Sequence, residues 1–138
     1  GLIKDVDLLS KDLNSKKIKN IKLNVSAPFH CKYMKSASNK MTSFINNLKI
    51  TKLNKPIISN VTAKEVYSPE QIKTLLISQI EKKVRWLESV EYMINNGIKN
   101  FVEIGPGKVL SGLIKRINKD VNVKSINNEE DIKLLLND

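Results

Sequence analysis

Leu2, Val6, Leu9 and Leu13 recur at three- and four-residue intervals, the spacing that lines one face of a helix, and predict an amphipathic helix over 2–14. Asn14-Ser15 and the lysines after it make a turn. Ile21, Leu23 and Val25 then alternate with polar residues, which predicts a strand over about 18–26. Met34, Ala37, Met41, Phe44, Ile45 and Leu48 return to helical spacing over 32–48. The run from Pro56 to Val61 is a short apolar strand, with proline first, where a missing N–H costs no ladder bond. Ser68-Pro69-Glu70-Gln71 is a capping-box start for a helix reaching about Ile80. Trp86, Val90, Met93 and Ile94 line another helix, closed by Asn96-Gly97. Phe101-Val102-Glu103-Ile104 reads as a buried strand that meets Gly105-Pro106-Gly107. A helix with Val109, Leu110, Leu113, Ile114 and Ile117 follows, then an alternating strand over Val121–Ile126. Asn128 caps a final helix bearing Leu134 and Leu135.

Short strands alternating with helices predict an α/β sheet with helices packed on it. There is no internal repeat and no low-complexity segment. The pattern begins in mid-helix with no lead-in, as expected for a piece of a larger α/β protein. The 138 residues suffice for one domain with a real core. No run approaches the roughly 20 apolar residues of a membrane span, so no membrane association is expected. No signal peptide is visible, although the first residue is Gly1 rather than methionine, which leaves a removed targeting segment open.

Charge changes the picture only in part. The net charge is +10, and it is lopsided: residues 1–60 carry 12 lysines against 3 aspartates, whereas residues 61–138 carry 12 basic against 11 acidic residues. An acidic partner for the first part follows, whether nucleic acid, an anionic surface or an acidic protein. Abundant Lys, Asn and Ile are equally the mark of an A/T-biased genome. Only Arg85 and Arg116 are arginines, whereas nucleic-acid readers favour Arg forks with interleaved aromatics. A solvated surface is the better reading.

Candidate chemistry centres on His30, the only histidine, in the run Val25-Ser26-Ala27-Pro28-Phe29-His30-Cys31-Lys32-Tyr33-Met34-Lys35. It lies where strand pattern yields to helix pattern, and an imidazole titrates near neutrality, so it can take and return a proton. Cys31 is the only cysteine, which rules out an internal disulfide and fits a reducing, cytoplasmic setting. One adjacent His-Cys pair has no metal-ligand spacing. As a nucleophile Cys31 is badly placed, because neighbours on an extended segment point opposite ways.

Four collinear segments carry a resemblance. The Val25–Cys31 run with Met34-Lys35, the segment from Pro56 to Ala63, Gln79 followed by Val84-Arg85-Trp86-Leu87-Glu88-Ser89-Val90, and the segment from Glu103 to Leu113 resemble the malonyl-CoA:acyl-carrier-protein transacylase family. The likeness runs from about residue 2 to 135. It implies an α/β-hydrolase-like acyltransferase large subdomain with an inserted ferredoxin-like small subdomain. On that basis residues 1–26 are the end of the small subdomain and residues 27–138 the C-terminal portion of the large one.

The activity implied is a two-step malonyl transfer. A serine takes malonyl from malonyl-CoA, and the phosphopantetheine thiol of acyl carrier protein then takes it from the serine. No bound cofactor and no metal is implied. The position matching the family's catalytic histidine is His30. Gln79, 49 positions on, matches the residue whose main-chain carbonyl steadies that histidine. A carbonyl can do this by accepting the second ring N–H and fixing the tautomer. Phe29, before the histidine, is a pocket candidate that would exclude an α-methyl group and favour malonyl. Asn60 is a second pocket candidate, its plainer role being to cap a turn.

The departures bear on activity. Ser36 and Lys83 stand where the family often has proline, which should cost rigidity rather than chemistry. No Gly-x-Ser-x-Gly is present, so nucleophile, oxyanion hole and substrate-clamping arginine are all expected from a missing N-terminal half. Arg85 and Arg116 do not match the clamp. Gly105-Pro106-Gly107 is a tight turn, with an anion-cradling helix start as its alternative. Trp86 is expected in the core. The expected partners are malonyl-CoA, acidic acyl carrier protein and that missing half. The chain alone is expected to be inactive and poorly folded, with its sheet edges open. The alternatives are an inactive remnant of a split acyltransferase gene and a basic nucleic-acid-binding module.

Overall fold

The computed structural model describes residues 1–136, so the last two residues of the 27–138 segment lie outside it. A first helix, α1 (Ile3–Ser15), is followed by an irregular stretch and a 3-10 turn at Lys32–Met34 that runs into α2 (Lys35–Asn46). A short hairpin of β1 (Ile57–Ile58) and β2 (Glu65–Val66) leads to α3 (Pro69–Gln79) and α4 (Trp86–Asn95). Then come β3 (Asn100–Ile104), α5 (Val109–Ile117), β4 (Asn122–Ile126) and α6 (Glu129–Leu136). The strands β1 and β2 pair antiparallel, and β3 and β4 pair parallel in register from Asn100↔Asn122 to Ile104↔Ile126. Helix α5 makes the crossover that a parallel pair requires.

The main core gathers on one side of that parallel pair. Val90 of α4, Ile114 of α5 and Val121 are buried together, and Trp86, Met93, Ile94, Phe101, Ile117 and Val123 pack around them. Trp86 thus joins the core, half-buried. The start of α3 follows its sequence signal: the Ser68 side chain accepts from the Gln71 N–H at 3.4 Å, and Pro69 occupies the first turn. Asn128 accepts from the Asp131 N–H at 3.0 Å at the start of α6. Among the described residues no helix is long and apolar enough to cross a membrane.

Three expectations need correction. The strand expected over 18–26 does not form. Its backbone bonds are local, from the Ile18 N–H to Leu13 O and from the Val25 N–H to Leu23 O, and among the described residues no ladder partner lies beside it. The stretch is instead tied back to α1 by Lys22–Asp7 at 2.9 Å and Ser10–Asn20 at 2.6 Å. The strand β3 is not buried on both faces. Phe101 and Glu103 turn inward, while Val102 is exposed and Ile104 is 80% exposed. A strand covered by helices on one side alternates in this way. The hairpin strands are also shorter than the run from Pro56 to Val61 suggested, because Ser59 already enters the turn, its N–H bonded to Lys64 O.

Candidate active site

The histidine loop is built by bonds on both sides of His30. The Phe29 N–H donates to Ala27 O at 2.9 Å, and His30 itself takes a φ of +59°, a left-handed conformation that histidine tolerates better than most residues. Cys31 then returns to extended backbone, its thiol donating to Pro28 O at 3.1 Å and its carbonyl accepting from the Met34 N–H at 2.9 Å. The segment therefore turns at His30 rather than running straight through it, and the Cys31 sulfur is engaged with Pro28.

Packing of α2 on α3 brings this loop to the end of α3. His30 Nδ1 lies 2.8 Å from the main-chain oxygen of Gln79. A carbonyl only accepts, so Nδ1–H is the donor, and the neutral ring then carries its lone pair on Nε2. The ring is solvent-exposed. The Gln79 side chain is close as well: its Nε2 donates to Lys82 O at 3.1 Å and lies 3.2 Å from His30 Nδ1.

The other candidates fall around this pair. Asn60 and Gln79 both line a largely apolar cleft of about 140 Å³ with Ile57, Val66, Ile72 and Leu76. The Asn60 carbonyl also accepts from the Arg85 N–H at 3.0 Å. Phe29 is 56% exposed and does not line that cleft. On the other side of α3, Lys32, Lys35 and Lys82 border a basic cleft that includes Glu81, itself 3.4 Å from Lys35. Arg85 is spoken for structurally, reaching Thr62 O and the Glu88 carboxylate, each at 3.0 Å. Among the described residues no group of three His, Cys, Asp or Glu side chains could hold a metal ion.

The glycine turn after β3 does not cradle an anion. Gly105 and Gly107 take φ values of +140° and +96°, and their N–H groups go to Ile126 O and to Asn127 Oδ1. The Glu103 carboxylate already accepts from the N–H groups of Leu110 and Ser111, at 3.1 and 2.7 Å, where an anion would sit. Two contacts went unread in the sequence: Glu103 capping α5, and the Gln79 amide donating to Lys82 O. An acidic residue just before a Gly-Pro-Gly turn and a helix was the signal for the first. The second left none, since it depends on where α3 ends.

No protein-family model matches the chain. Individual relatives do, and they define the class as acyltransferases that carry malonyl. The malonyl CoA-acyl carrier protein transacylase of Staphylococcus aureus (strain COL) is 39% identical over 133 residues, covering 96% of this chain and 42% of the relative. That of Bacillus subtilis (strain 168) is 38% identical over 139 residues, covering 99% of this chain and 43% of the relative. The crystal structure of acyl-carrier-protein-S-malonyltransferase from Bartonella henselae superimposes with a TM-score of 0.89 at 37% identity, over 97% of this chain and 43% of that one. A malonyl-transacylase in complex with a type II PKS acyl-carrier protein gives a TM-score of 0.88 at 32% identity, over 99% and 45%. The chain belongs to the malonyl CoA-acyl carrier protein transacylase family, as a C-terminal portion of it. It spans about 42% of the length of the first relatives it matches.

Proposed function

We propose that this chain supplies the histidine-bearing portion of a malonyl-CoA:acyl-carrier-protein transacylase, with His30 as general base and Gln79 as its orienter. The observation that carries the reading is the 2.8 Å contact between His30 Nδ1 and the Gln79 carbonyl. It leaves Nε2 of the neutral ring free to take a proton, as a base must. Nε2 would take the hydroxyl proton of a serine from the N-terminal portion as its oxygen attacks the malonyl thioester. The imidazolium would return that proton to the departing CoA thiolate. In the second half the ring would deprotonate the phosphopantetheine thiol of acyl carrier protein, whose sulfur attacks the malonyl-serine ester. The proton then goes back to the serine oxygen.

Phe29 and Asn60 are read as pocket residues in this enzyme. Residues 1–26 are read as the end of the small ferredoxin-like subdomain, and 27–138 as part of the large one. With no Gly-x-Ser-x-Gly in its sequence, the chain is inactive until the N-terminal portion is supplied. The test is a chimera in which these 138 residues replace the matching portion of the Staphylococcus aureus relative. Malonyl transfer to carrier protein by the chimera supports the reading. A soluble, folded chimera without transfer contradicts it.

A further inference from the structure

We infer that Arg85 is a positioning residue for Asn60, holding the turn between β1 and β2 so that Asn60 keeps its place in the apolar cleft. The inference rests on the reading of Asn60 as a pocket residue. That turn, residues 59–64, is tight. The Ser59 N–H reaches Lys64 O at 3.0 Å, the Ala63 N–H reaches Ser59 O at 2.8 Å, and the Val61 N–H reaches Ser59 Oγ at 3.1 Å. It closes through Ala63, which is buried with a φ of +54°. A non-glycine residue in the left-handed region costs free energy and persists only where its surroundings fix it.

Arg85 supplies that fixing from outside the turn. Its N–H donates to Asn60 O and its Nη1 to Thr62 O, each at 3.0 Å, so one residue holds the two carbonyls that flank Val61. Its Nε donates to Glu88 Oε1 at 3.0 Å, and because the guanidinium is planar that bond sets the direction of Nη1. Lys64, at the end of the turn, stands 4.4 Å over the Tyr92 ring, a second tie to α4. The Arg85–Glu88 pair alone, partly exposed and three residues apart, would be worth little. The bond to Thr62 O spans 23 residues, and it joins the turn that carries Asn60 to the segment leading from Gln79. Asn60 and Gln79 line one cleft, so Arg85 sets how its two walls stand to each other.

The test measures kcat and KM for malonyl-CoA in the Staphylococcus aureus chimera carrying Arg85→Met, Asn60→Ala or both, with Glu88→Gln as control. Methionine keeps the apolar stem of the arginine and has no donor for Thr62 O. Arg85→Met is expected to raise KM about two- to tenfold, the worth of one hydrogen bond. Its kcat is expected to be unchanged, because a pocket contact holds substrate and transition state alike. In the Asn60→Ala background it is expected to raise KM no further, since the residue it positions is gone. Glu88→Gln keeps an oxygen for Nε and is expected to leave KM unchanged. A raised KM in Asn60→Ala beside a parental KM in Arg85→Met overturns this inference and leaves the pocket reading standing, as do effects of the two that simply multiply. A parental KM and kcat in Asn60→Ala overturns both. Arg85→Lys, which keeps the charge beside Glu88 but not the planar fork, serves if Arg85→Met does not fold: it is expected to raise KM, and a parental KM in it overturns the inference.

Discussion

Ile104 offers a direct reading of what the open face of β3 is for. It is 80% exposed, while β3 presents its other face to the core. If the N-terminal portion of the enzyme covers this face, Ile104→Ala removes three buried carbons. At about 0.8 kcal/mol each that is ~2.4 kcal/mol, before any cavity left behind raises it toward the upper end of the ~2–5 kcal/mol range. If the face stays in water, an exposed substitution costs within ~0.5 kcal/mol of nothing. The assay is urea unfolding of the Staphylococcus aureus chimera, comparing midpoints at constant slope. Val90→Ala is the internal control, because Val90 is 0% exposed within the chain itself. Two carbons and a partial cavity there predict a loss of ~1.6–3 kcal/mol wherever β3 faces. An Ile104→Ala cost below ~0.5 kcal/mol, beside a normal Val90→Ala cost, would refute the idea that the N-terminal portion packs on β3.

Three further outcomes follow from the same geometry. The Ser111 hydroxyl first, then the Ser111 and Leu110 N–H groups, hold the Glu103 carboxyl below the usual glutamate range. A depressed folded pKa contributes stability above the unfolded value and loses it as pH falls through the folded one. Glu103→Gln is therefore expected to lower the unfolding midpoint at neutral pH, the gap closing below about pH 4; a gap constant down to acid pH would contradict the cap. Phe29→Ser in the chimera is expected to raise methylmalonyl transfer relative to malonyl by about ten- to a hundredfold, since one methyl is worth ~1–3 kcal/mol; an unchanged ratio removes Phe29 as a size filter. Charge reversal of several lysines among residues 11–35 is expected to slow transfer to carrier protein without slowing malonyl-CoA hydrolysis, and equal effects on both would show that no acidic partner is steered there.

The sequence made the helices plain because their signals are local. Ser68-Pro69 and Asn128 act within one turn of the helices they start, and the spacing of Val109, Leu110, Leu113 and Ile114 repeats inside one element. The strand over 18–26 was misread for the opposite reason. Alternation in Ile21, Leu23 and Val25 says which side would be apolar, but a strand exists only beside a partner, and none of the described residues pairs with it. The same non-locality hid half of the candidate site. His30 stood out as the sole histidine, and family likeness pointed to Gln79. The left-handed turn at His30 and the forward bond of the Gln79 amide arise only once α2 and α3 meet. Glu103 was legible in principle, as an acidic residue before a glycine turn and a helix, but its bonds to the Leu110 and Ser111 N–H groups depend on how that turn folds back.

The most direct test of the account is malonyl transfer from malonyl-CoA to carrier protein by the Staphylococcus aureus chimera and by its His30→Ala variant, both checked for folding by thermal unfolding. The account predicts an active chimera and, in His30→Ala, a loss of about 10²–10⁴-fold in kcat, the contribution of a positioned general base. A folded His30→Ala variant that transfers malonyl as fast as its parent would contradict it.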